Sequence, residues 1–280
     1  MANAAKIPVW RTVGQAYRAW FEHFPELLHI SWMWLAMLLP VFAAISWVQV
    51  PMLVELMTAA IEIRPYVDDH LARTAAFGVI QQLLLLVPMA SIAVAWHRLL
   101  LRNEHPNAGR YLRADSVVTG CALLLLLMGA IVFIPNLITT FVRTSTVRAM
   151  SEAGAIALIF GSILTLVGVF VMARLSLALP SKALEGADVS LRHAWQATKG
   201  NSWRLVFAYF LCTLPFSAIV GGLGFLIYRP EMPRVLIVLF LVAANVAWLL
   251  FGMVSIGFLS FGYRYFFERE SSPHSGGNAA

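Results

Sequence analysis

Six long apolar runs divide the chain, and the charged residues are concentrated in the short segments between them. A run of about 20 apolar residues is long enough to cross the hydrocarbon core of a bilayer as an α-helix. The pattern therefore predicts an all-α integral membrane helical bundle of six transmembrane helices that pair in chain order as three hairpins. The expected spans are 27–49, 74–96, 117–141, 154–172, 205–228 and 235–259.

Prolines lie within the first, third and fifth spans, at Pro40, Pro135 and Pro215. Because proline removes a helical hydrogen bond, each is expected to kink its helix. The first apolar region continues past residue 49 to Ile63, which is too long for one crossing. We therefore predict that Pro51 ends the first span and that 52–63 lies along the outer surface.

The segment 7–24, before the first span, has the spacing of an amphipathic helix. Trp10 and Trp20 belong to its apolar side, whereas Arg11 and Arg18 lie on the opposite side. A helix of this kind lies in the headgroup plane of a membrane, with its aromatic residues in lipid and its arginines at the phosphates. We predict an N-terminal interfacial helix over 7–24.

A second interfacial helix is expected over 186–200, on the cytoplasmic side. Asp188 or Ser190 can cap it, and Gly200 with Asn201 can end it. The neighbouring basic and aromatic residues are the predicted lipid-headgroup contacts, together with those of the first helix. They are Arg174, Lys182, Arg192, Trp195, Lys199, Trp203 and Arg204.

Lys and Arg are distributed unequally between the two sides of the membrane. Of the 20 Lys and Arg residues, the outer side takes only the minority Arg64, Arg73, Arg143, Arg148, Arg229 and Arg234. The positive-inside rule therefore places both termini in the cytoplasm. Residues 1–267 form one transmembrane domain in this interpretation, and the Ser- and Gly-rich segment 268–280 is a disordered tail.

Composition narrows the class of protein further. The chain is 60% hydrophobic and only 12% charged, which is far from the usage of soluble proteins. Its net charge of +6 is spread among membrane-flanking segments, so we expect no binding of nucleic acid. The two cysteines, Cys121 and Cys212, both fall within spans, which gives no support for a disulfide or a metal site.

Catalytic signatures are missing from the sequence, which has no paired-histidine metal motif, glycine-rich phosphate loop or GxSxG elbow. We therefore expect no enzyme activity, cofactor or metal. Gln81, Asn136 and Asn245 are polar residues deep within spans. They serve either as hydrogen-bonding links between helices or, for Asn136 and Asn245, as the lining of a polar path.

Two stretches carry a resemblance to known proteins: RLSLALP, from Arg174 to Pro180, and SLRHAWQATKGNSWRL, from Ser190 to Leu205. They resemble uncharacterised bacterial multi-pass membrane proteins, namely the YciC-like proteins and the membrane domain that accompanies some glycerophosphodiester phosphodiesterases. The resemblance implies a helical membrane fold in the bacterial inner membrane. It implies no activity, because the phosphodiesterase catalytic domain and its metal ligands are missing from the sequence.

Two functions remain open at this level. The first is a non-enzymatic membrane protein whose interfacial helices engage anionic membrane lipids or organise a membrane partner, which includes a second copy of the chain. The second is a transporter or channel for a neutral or amphiphilic small solute, because three kinked hairpins can enclose a cavity near the middle of the membrane.

Overall fold

The computed structural model describes residues 6–61, 68–105, 115–147, 152–184, 189–227, 229 and 231–268. Within these ranges, the side chains of 56–61, 68–72, 74–75, 136, 138–147 and 152–158 are not described. The secondary structure of the described ranges is entirely helical. Its helices are α1 (Val9–Glu22), α2 (Phe24–Ile61), α3 (Asp68–Arg102), α4 (Ser116–Val147), α5 (Glu152–Leu175), α6 (Ala178–Ala183), α7 (Leu191–Ala197), α8 (Ser202–Ile227) and α9 (Arg234–Tyr263), which a π-helical segment (Arg264–Glu268) continues.

Five helices of the described part are long and apolar enough to cross a membrane, namely α2, α3, α4, α8 and α9. In α5, the described apolar stretch Ile159–Leu175 is shorter than the other five, although the helix has 24 residues in all. The predicted all-α membrane bundle is confirmed. A disordered tail was predicted over 268–280; Glu268 is helical, and 269–280 lies outside the described residues.

The six long helices pack in a closed order: α2 contacts α3, and α4, α5, α8 and α9 follow in turn until α9 returns to α2. The predicted hairpins α2–α3, α4–α5 and α8–α9 are therefore neighbours in the bundle. The helix α9 also contacts α3, α1 and α6. It is the helix around which the chain packs.

One end of the bundle is densely packed. We call it the α1 end. It contains α1, α6 and α7, together with the starts of α2, α4 and α8 and the ends of α3, α5 and α9. Most of α9 from Val254 to Tyr263 is buried. At the start of α9, Val235, Leu236 and Leu239 are exposed apolar residues, as expected where lipid rather than protein surrounds a helix.

The first span is longer than predicted. The helix α2 continues through both Pro40 and Pro51 to Ile61, so Pro51 does not end it, and the part of 52–63 that is described belongs to the same helix. A proline removes only one hydrogen bond, and membrane helices tolerate this loss. Near Pro51, Val50 packs against Ile237 and Val238 of α9, which supports the helix at this point.

The N-terminal helix packs against protein along its length, which the sequence did not predict. Ile7 bonds to Asn201, and ten residues later the Tyr17 hydroxyl donates to the carbonyl of Leu211. Because the two pairs have the same separation in sequence, α1 runs in the same direction as the start of α8. The helix α1 is antiparallel to α9. The Tyr265 hydroxyl donates to the carbonyl of Lys6, and Trp20 Nε1 donates to the carbonyl of Leu250.

The second predicted interfacial segment was 186–200, and its described part, 189–200, contains the short helix α7, from Leu191 to Ala197. Ser190 is its N-cap, and the Ser190 hydroxyl accepts a hydrogen bond from the backbone N–H of His193 at 3.2 Å. Asp188, the alternative cap, lies outside the described residues. A turn follows in which Gly200 has a φ of +82°, a conformation that favours glycine. This turn sets the start of α8 at Ser202.

Candidate functional site

Arginines at the ends of α3, α5 and α9 bind the backbone of neighbouring helices. Arg98 donates from Nε to the carbonyl of Ala183 at 2.8 Å. Arg264 donates from Nη2 to the carbonyls of Leu100 and Leu101 at 2.9 and 3.1 Å. These carbonyls belong to the last turns of α6 and α3, where helices have unsatisfied acceptors and a partial negative charge. The arginines therefore join the helices at the α1 end.

Arg174, a predicted lipid contact, is bound by α7 in the same way. It is only 9% exposed. Its Nε donates to the Thr198 hydroxyl at 3.0 Å, Nη2 donates to the carbonyl of Trp195, and its Cζ lies 3.6 Å from the centre of the Trp195 ring. The guanidinium group thus stacks on one face of the indole, and this contact holds α7 against α5.

Arg204, another predicted lipid contact, helps to hold the start of α1. Its Nη1 donates to the carbonyl of Ile7 at 3.0 Å, and the backbone N–H of Ile7 donates to Oδ1 of the buried Asn201 at 2.9 Å. Both backbone polar groups of Ile7 are therefore satisfied by residues on either side of the α8 start. The sequence GNSWR shows these residues, but it does not show that their partner is 194 or 197 positions away.

Trp20, also predicted to contact lipid, is buried. Its ring stacks on Phe251 at 4.7 Å between centroids, and Nε1 donates to the carbonyl of Leu250 at 2.9 Å. Trp10 lies on another side of α1 and is 71% exposed, and Phe21, about three helical turns further along that side, is 67% exposed. The aromatic residues of α1 are thus divided between an exposed strip and a side that packs on α9.

A polar groove lies between α1, the end of α3 and the end of α9. Its larger part has a volume of 580 Å³ and includes Arg18, Glu22, Arg102 and Arg264 in its lining. A smaller adjoining part of 370 Å³ shares Gln15, Phe261 and Arg264 with it and adds Arg11 and Glu268. We call the two parts together the α1 groove. Four arginines and two glutamates line it, so its formal charge is positive.

Ion pairs set the arginines of the α1 groove in place. Arg18 Nε donates to Glu22 Oε1 at 2.7 Å, one helical turn away. This hydrogen bond, with the charge of Glu22, raises the pKa of Arg18. Arg102 Nη1 lies 3.5 Å from Glu104 Oε1, and Arg264 Nε lies 3.6 Å from Glu268 Oε2. All three arginines keep substantial exposure, so their guanidinium groups are accessible from the groove.

The other predicted contacts lie at the same end of the bundle but do not line this groove. Lys182 on α6, Arg192 on α7 and Lys199 in the following turn are exposed. Trp203 is also exposed and its ring meets Phe170 at 4.9 Å. The residues that the sequence analysis did not select are Arg102, Arg264, Glu22 and Gln15. Helical spacing shows that Gln15 and Glu22 share a face with Arg11 and Arg18, but it cannot show which helix packs beside that face.

The polar residues within the spans form a hydrogen-bonding link. The Asn245 amide nitrogen donates to the carbonyl of Leu241 at 2.8 Å, and Gln81 donates to the Asn245 oxygen. This joins α9 to α3, which is the structural role of such residues in membrane helices. Asn136 lies on α4, but its side chain is outside the described part. The Gln81–Asn245 link gives no support to a polar path.

His97 and Ser260 form a buried pair between α3 and α9. His97 Nδ1 lies 2.7 Å from Ser260 Oγ, and both side chains are almost completely buried. A nucleophile and base must be reachable by a substrate, so this pair is better suited to joining the two helices. Over the residues that the structure describes, no group of three His, Cys, Asp or Glu side chains is placed to hold a metal ion.

These features define a class of protein: an all-α helical bundle of a membrane protein, with a polar groove and arginine contacts between helices at its α1 end. A comparison with known proteins adds no name to this class. No protein-family model, curated protein or solved structure matches the chain. The resemblance to the YciC-like proteins therefore stays a prediction from residues 174–205.

Proposed function

We propose that this chain is a non-catalytic multi-pass protein of the bacterial inner membrane that holds anionic phospholipid at its cytoplasmic face. The observation that carries the proposal is the exposed side of α1. There Trp10 and Phe21 are exposed beside Arg11 and Arg18, which are exposed as well. Aromatic rings favour the level of the lipid headgroups, and arginines attract anionic headgroups.

The helical spacing of α1 places these residues on adjacent strips. At about 100° per residue, Trp10 and Phe21 lie within one strip, and Arg11 and Arg18 lie roughly 80° further around the helix. An amphipathic helix at a membrane surface has this arrangement, with the apolar strip in the acyl region and the basic strip at the phosphates. The arrangement supports lipid binding along α1.

The contacts of α1 with the bundle support a fixed orientation of these strips. Bonds from Ile7 and Tyr17 to α8, and from Trp20 to α9, hold the opposite side of the helix. A side chain that is already positioned loses less conformational entropy on binding than one on a mobile segment. The exposed strip is therefore better suited to holding a lipid than a free amphipathic segment would be.

The orientation in the membrane follows from charge. Most Lys and Arg residues lie at the α1 end or in the segments that join it, so the positive-inside rule assigns this end to the cytoplasm. Anionic lipids give the cytoplasmic leaflet a negative surface potential, and each nearby basic residue contributes about 1 kcal/mol of attraction. The proposed topology and the proposed lipid thus agree.

Lipid retention in nanodiscs tests the proposal. The purified full-length protein is placed in nanodiscs of mixed phosphatidylcholine and phosphatidylglycerol, and the lipids that remain bound after transfer to detergent are identified by native mass spectrometry. We expect enrichment of phosphatidylglycerol that decreases as salt is raised, because exposed charges are screened. Phe21→Ala should reduce the enrichment. Phe225→Ala is the matched control, since Phe225 is an exposed aromatic residue at the other end of α8.

Retention of both lipids in their bulk ratio would contradict the proposal. A co-purifying protein without selective lipid would instead favour the organisation of a membrane partner. If Phe21→Ala and Phe225→Ala reduced the enrichment equally, lipid would be held by the apolar surface in general and α1 would have no special part in it.

A further inference from the structure

We infer that the α1 groove is a specific binding site for the phosphate of one anionic phospholipid. The inference rests on the proposed function and adds to it a defined site. General attraction of anionic lipid requires only surface charge, whereas a site requires a concave shape, converging donors and an apolar wall. The α1 groove has these three properties.

The shape and size of the groove fit a lipid headgroup. Its larger part has a volume of 580 Å³, within the range of about 300–1,000 Å³ that is usual for small-molecule sites. It is open at the surface of the α1 end and is bounded by three different helices. A headgroup in it would be contacted from more than one side, which a flat basic surface does not allow.

The donors that converge on the groove come from all three helices. Arg11 and Arg18 reach it from α1, Arg102 from α3 and Arg264 from the end of α9. A guanidinium has five N–H donors, and among the described residues Arg18 uses only Nε, for Glu22. Its two terminal nitrogens are thus able to donate to phosphate oxygens, in the paired geometry that arginine favours for phosphate.

The positions of these arginines are fixed by the protein. Arg264 donates to the carbonyls of Leu100 and Leu101, and Arg102 donates to the carbonyl of Leu184. The two are therefore held at the groove wall before any ligand binds. A phosphate would meet arranged donors, which lowers the entropy cost of binding.

An apolar part of the lining adjoins the donors. Ala19, Leu100 and Phe261 line the groove beside the arginines. Beyond Arg18 on the surface of α1 lies the exposed strip of Trp10 and Phe21. A ligand with a charged headgroup and an apolar body can therefore place its phosphate at the arginines and its glycerol and acyl parts against these residues, which a free phosphate ion cannot do.

Glu22 is expected to oppose phosphate binding. Its carboxylate lies in the groove lining and accepts the hydrogen bond of Arg18. An anion that binds Arg18 must compete with this carboxylate and is repelled by its charge. Glu22→Gln should consequently increase the affinity for the lipid. Damage to the fold would not cause such an increase, so this variant separates the inference from an effect on stability.

The test measures the affinity of the full-length protein for phosphatidylglycerol by titration and native mass spectrometry. Two pairs of substitutions remove the same charge from the same end of the bundle. They are Arg11→Gln with Arg18→Gln, in the groove, and Arg192→Gln with Lys199→Gln, on α7 and in the turn after it, outside the groove. Sodium phosphate serves as the soluble competitor. Thermal unfolding in detergent checks that all variants are folded.

We expect the groove pair to weaken binding about tenfold per arginine removed, which is near the lower end of the usual value for a hydrogen bond to a charged group. The control pair should weaken it clearly less, and Glu22→Gln should strengthen it. Sodium phosphate should displace the lipid only at much higher concentration than the lipid itself requires.

Three results would overturn the inference. If the two pairs weakened binding equally, lipid would be attracted by general charge and the proposed function would stand without a site. If Glu22→Gln weakened binding, Arg18 would not be the phosphate donor. If phosphate ion bound as tightly as phosphatidylglycerol, the site would be one for a soluble anion. A wild-type protein without preference for anionic lipid would reject the proposed function itself.

Discussion

Arginine at the end of a membrane helix has a different role here from the one that its position in the sequence indicates. Arg98, Arg174 and Arg264 lie near the ends of successive hairpins, and Arg174 was predicted to contact lipid headgroups. In the structure each donates to a backbone carbonyl of a neighbouring helix. The sequence shows an arginine at the end of each hairpin. The atom that accepts its hydrogen bond is a backbone carbonyl, and every residue has one, so the sequence does not indicate which carbonyl it is. Such a role is therefore hidden from sequence reasoning.

Arg174 gives a prediction at this scale. Arg174→Ala removes a hydrogen bond to Thr198 and the contact with the Trp195 ring. We expect a loss of about 2 kcal/mol in stability, the usual value for a hydrogen bond to a charged group. Thermal unfolding in detergent measures it, with Arg192→Ala as control because Arg192 is exposed on α7. Equal effects of the two substitutions would contradict the described role of Arg174.

Tyr17 gives a prediction on pH. Burial first, and the neighbouring Cys212 second, raise the pKa of Tyr17 above its ordinary value of 10.0. For an acid whose pKa is raised on folding, the stabilisation is complete below the unfolded value and is lost as pH rises through the folded one. The advantage of the wild-type protein over Tyr17→Phe should thus be constant up to about pH 10 and decrease above it.

Thermal unfolding of both proteins between about pH 8 and pH 11 measures this difference directly. Below pH 10 the wild-type protein should be the more stable, because the Tyr17 hydroxyl donates to the carbonyls of Leu211 and Cys212. A difference that grew with alkaline pH would show that the hydroxyl is not bound in this way.

At the scale of elements, the apolar pattern predicted the helices well and their partners poorly. The order of the long helices and the three hairpins follow from the apolar runs, which are a local property, whereas α2 continues past the predicted end at Pro51. The helix α1 was recognised by its spacing, yet the same spacing fits a helix that lies on lipid and one that packs on protein. Only the distant residues Asn201, Leu211 and Leu250 distinguish the two, because they provide the acceptors for α1.

Close contact between α4 and α5 gives a prediction at this scale. A Cβ added to Gly168 would lie 2.6 Å from the carbonyl oxygen of Ile131, which is backbone and cannot rotate away. Gly168→Ala should force the two helices apart and destabilise the protein by about 1–3 kcal/mol, the usual cost of overpacking. In Gly222→Ala the added Cβ meets nothing within 4 Å, so this substitution on α8 is the control.

Unfolding temperatures of the two glycine variants in the same detergent provide the comparison. We expect Gly168→Ala to unfold at a lower temperature than Gly222→Ala. If the order were reversed, α4 and α5 would not approach as closely as the structure places them.

At the scale of the whole molecule, burial changes along the central helix α9 from its start to its end. Val254 to Tyr263 of α9 is surrounded by α1, α3 and α6, whereas the start of the same helix has exposed apolar residues. The α1 groove opens on the dense end. The proposed lipid site thus lies beside the buried half of α9, and a binding geometry is well maintained when its side chains lie on packed helices.

Hydrogen exchange can test this change in burial. Within α9, amides of 254–263 should exchange more slowly than those of 235–241, because opening the dense end requires α1 to separate from α8 and α9. The measurement is mass-spectrometric hydrogen exchange on the protein in detergent. Equal protection along α9 would contradict the difference in packing. If Asn201→Ala lost protection only at 254–263, this would support the conclusion that the packing of α1 protects this part of α9.

The pairing of α1 with α8 and α9 also affects the order in which the helices pack during synthesis. A ribosome makes Ile7 and Trp20 long before it makes Asn201 and Leu250, the residues that bind them. Until then, the apolar side of α1 has no protein partner, and the membrane surface is the environment that its amphipathic pattern suits. We expect shortened chains that end before Ser202 to keep α1 on the lipid, readily cut by protease. The first helix made is thus among the last to be packed.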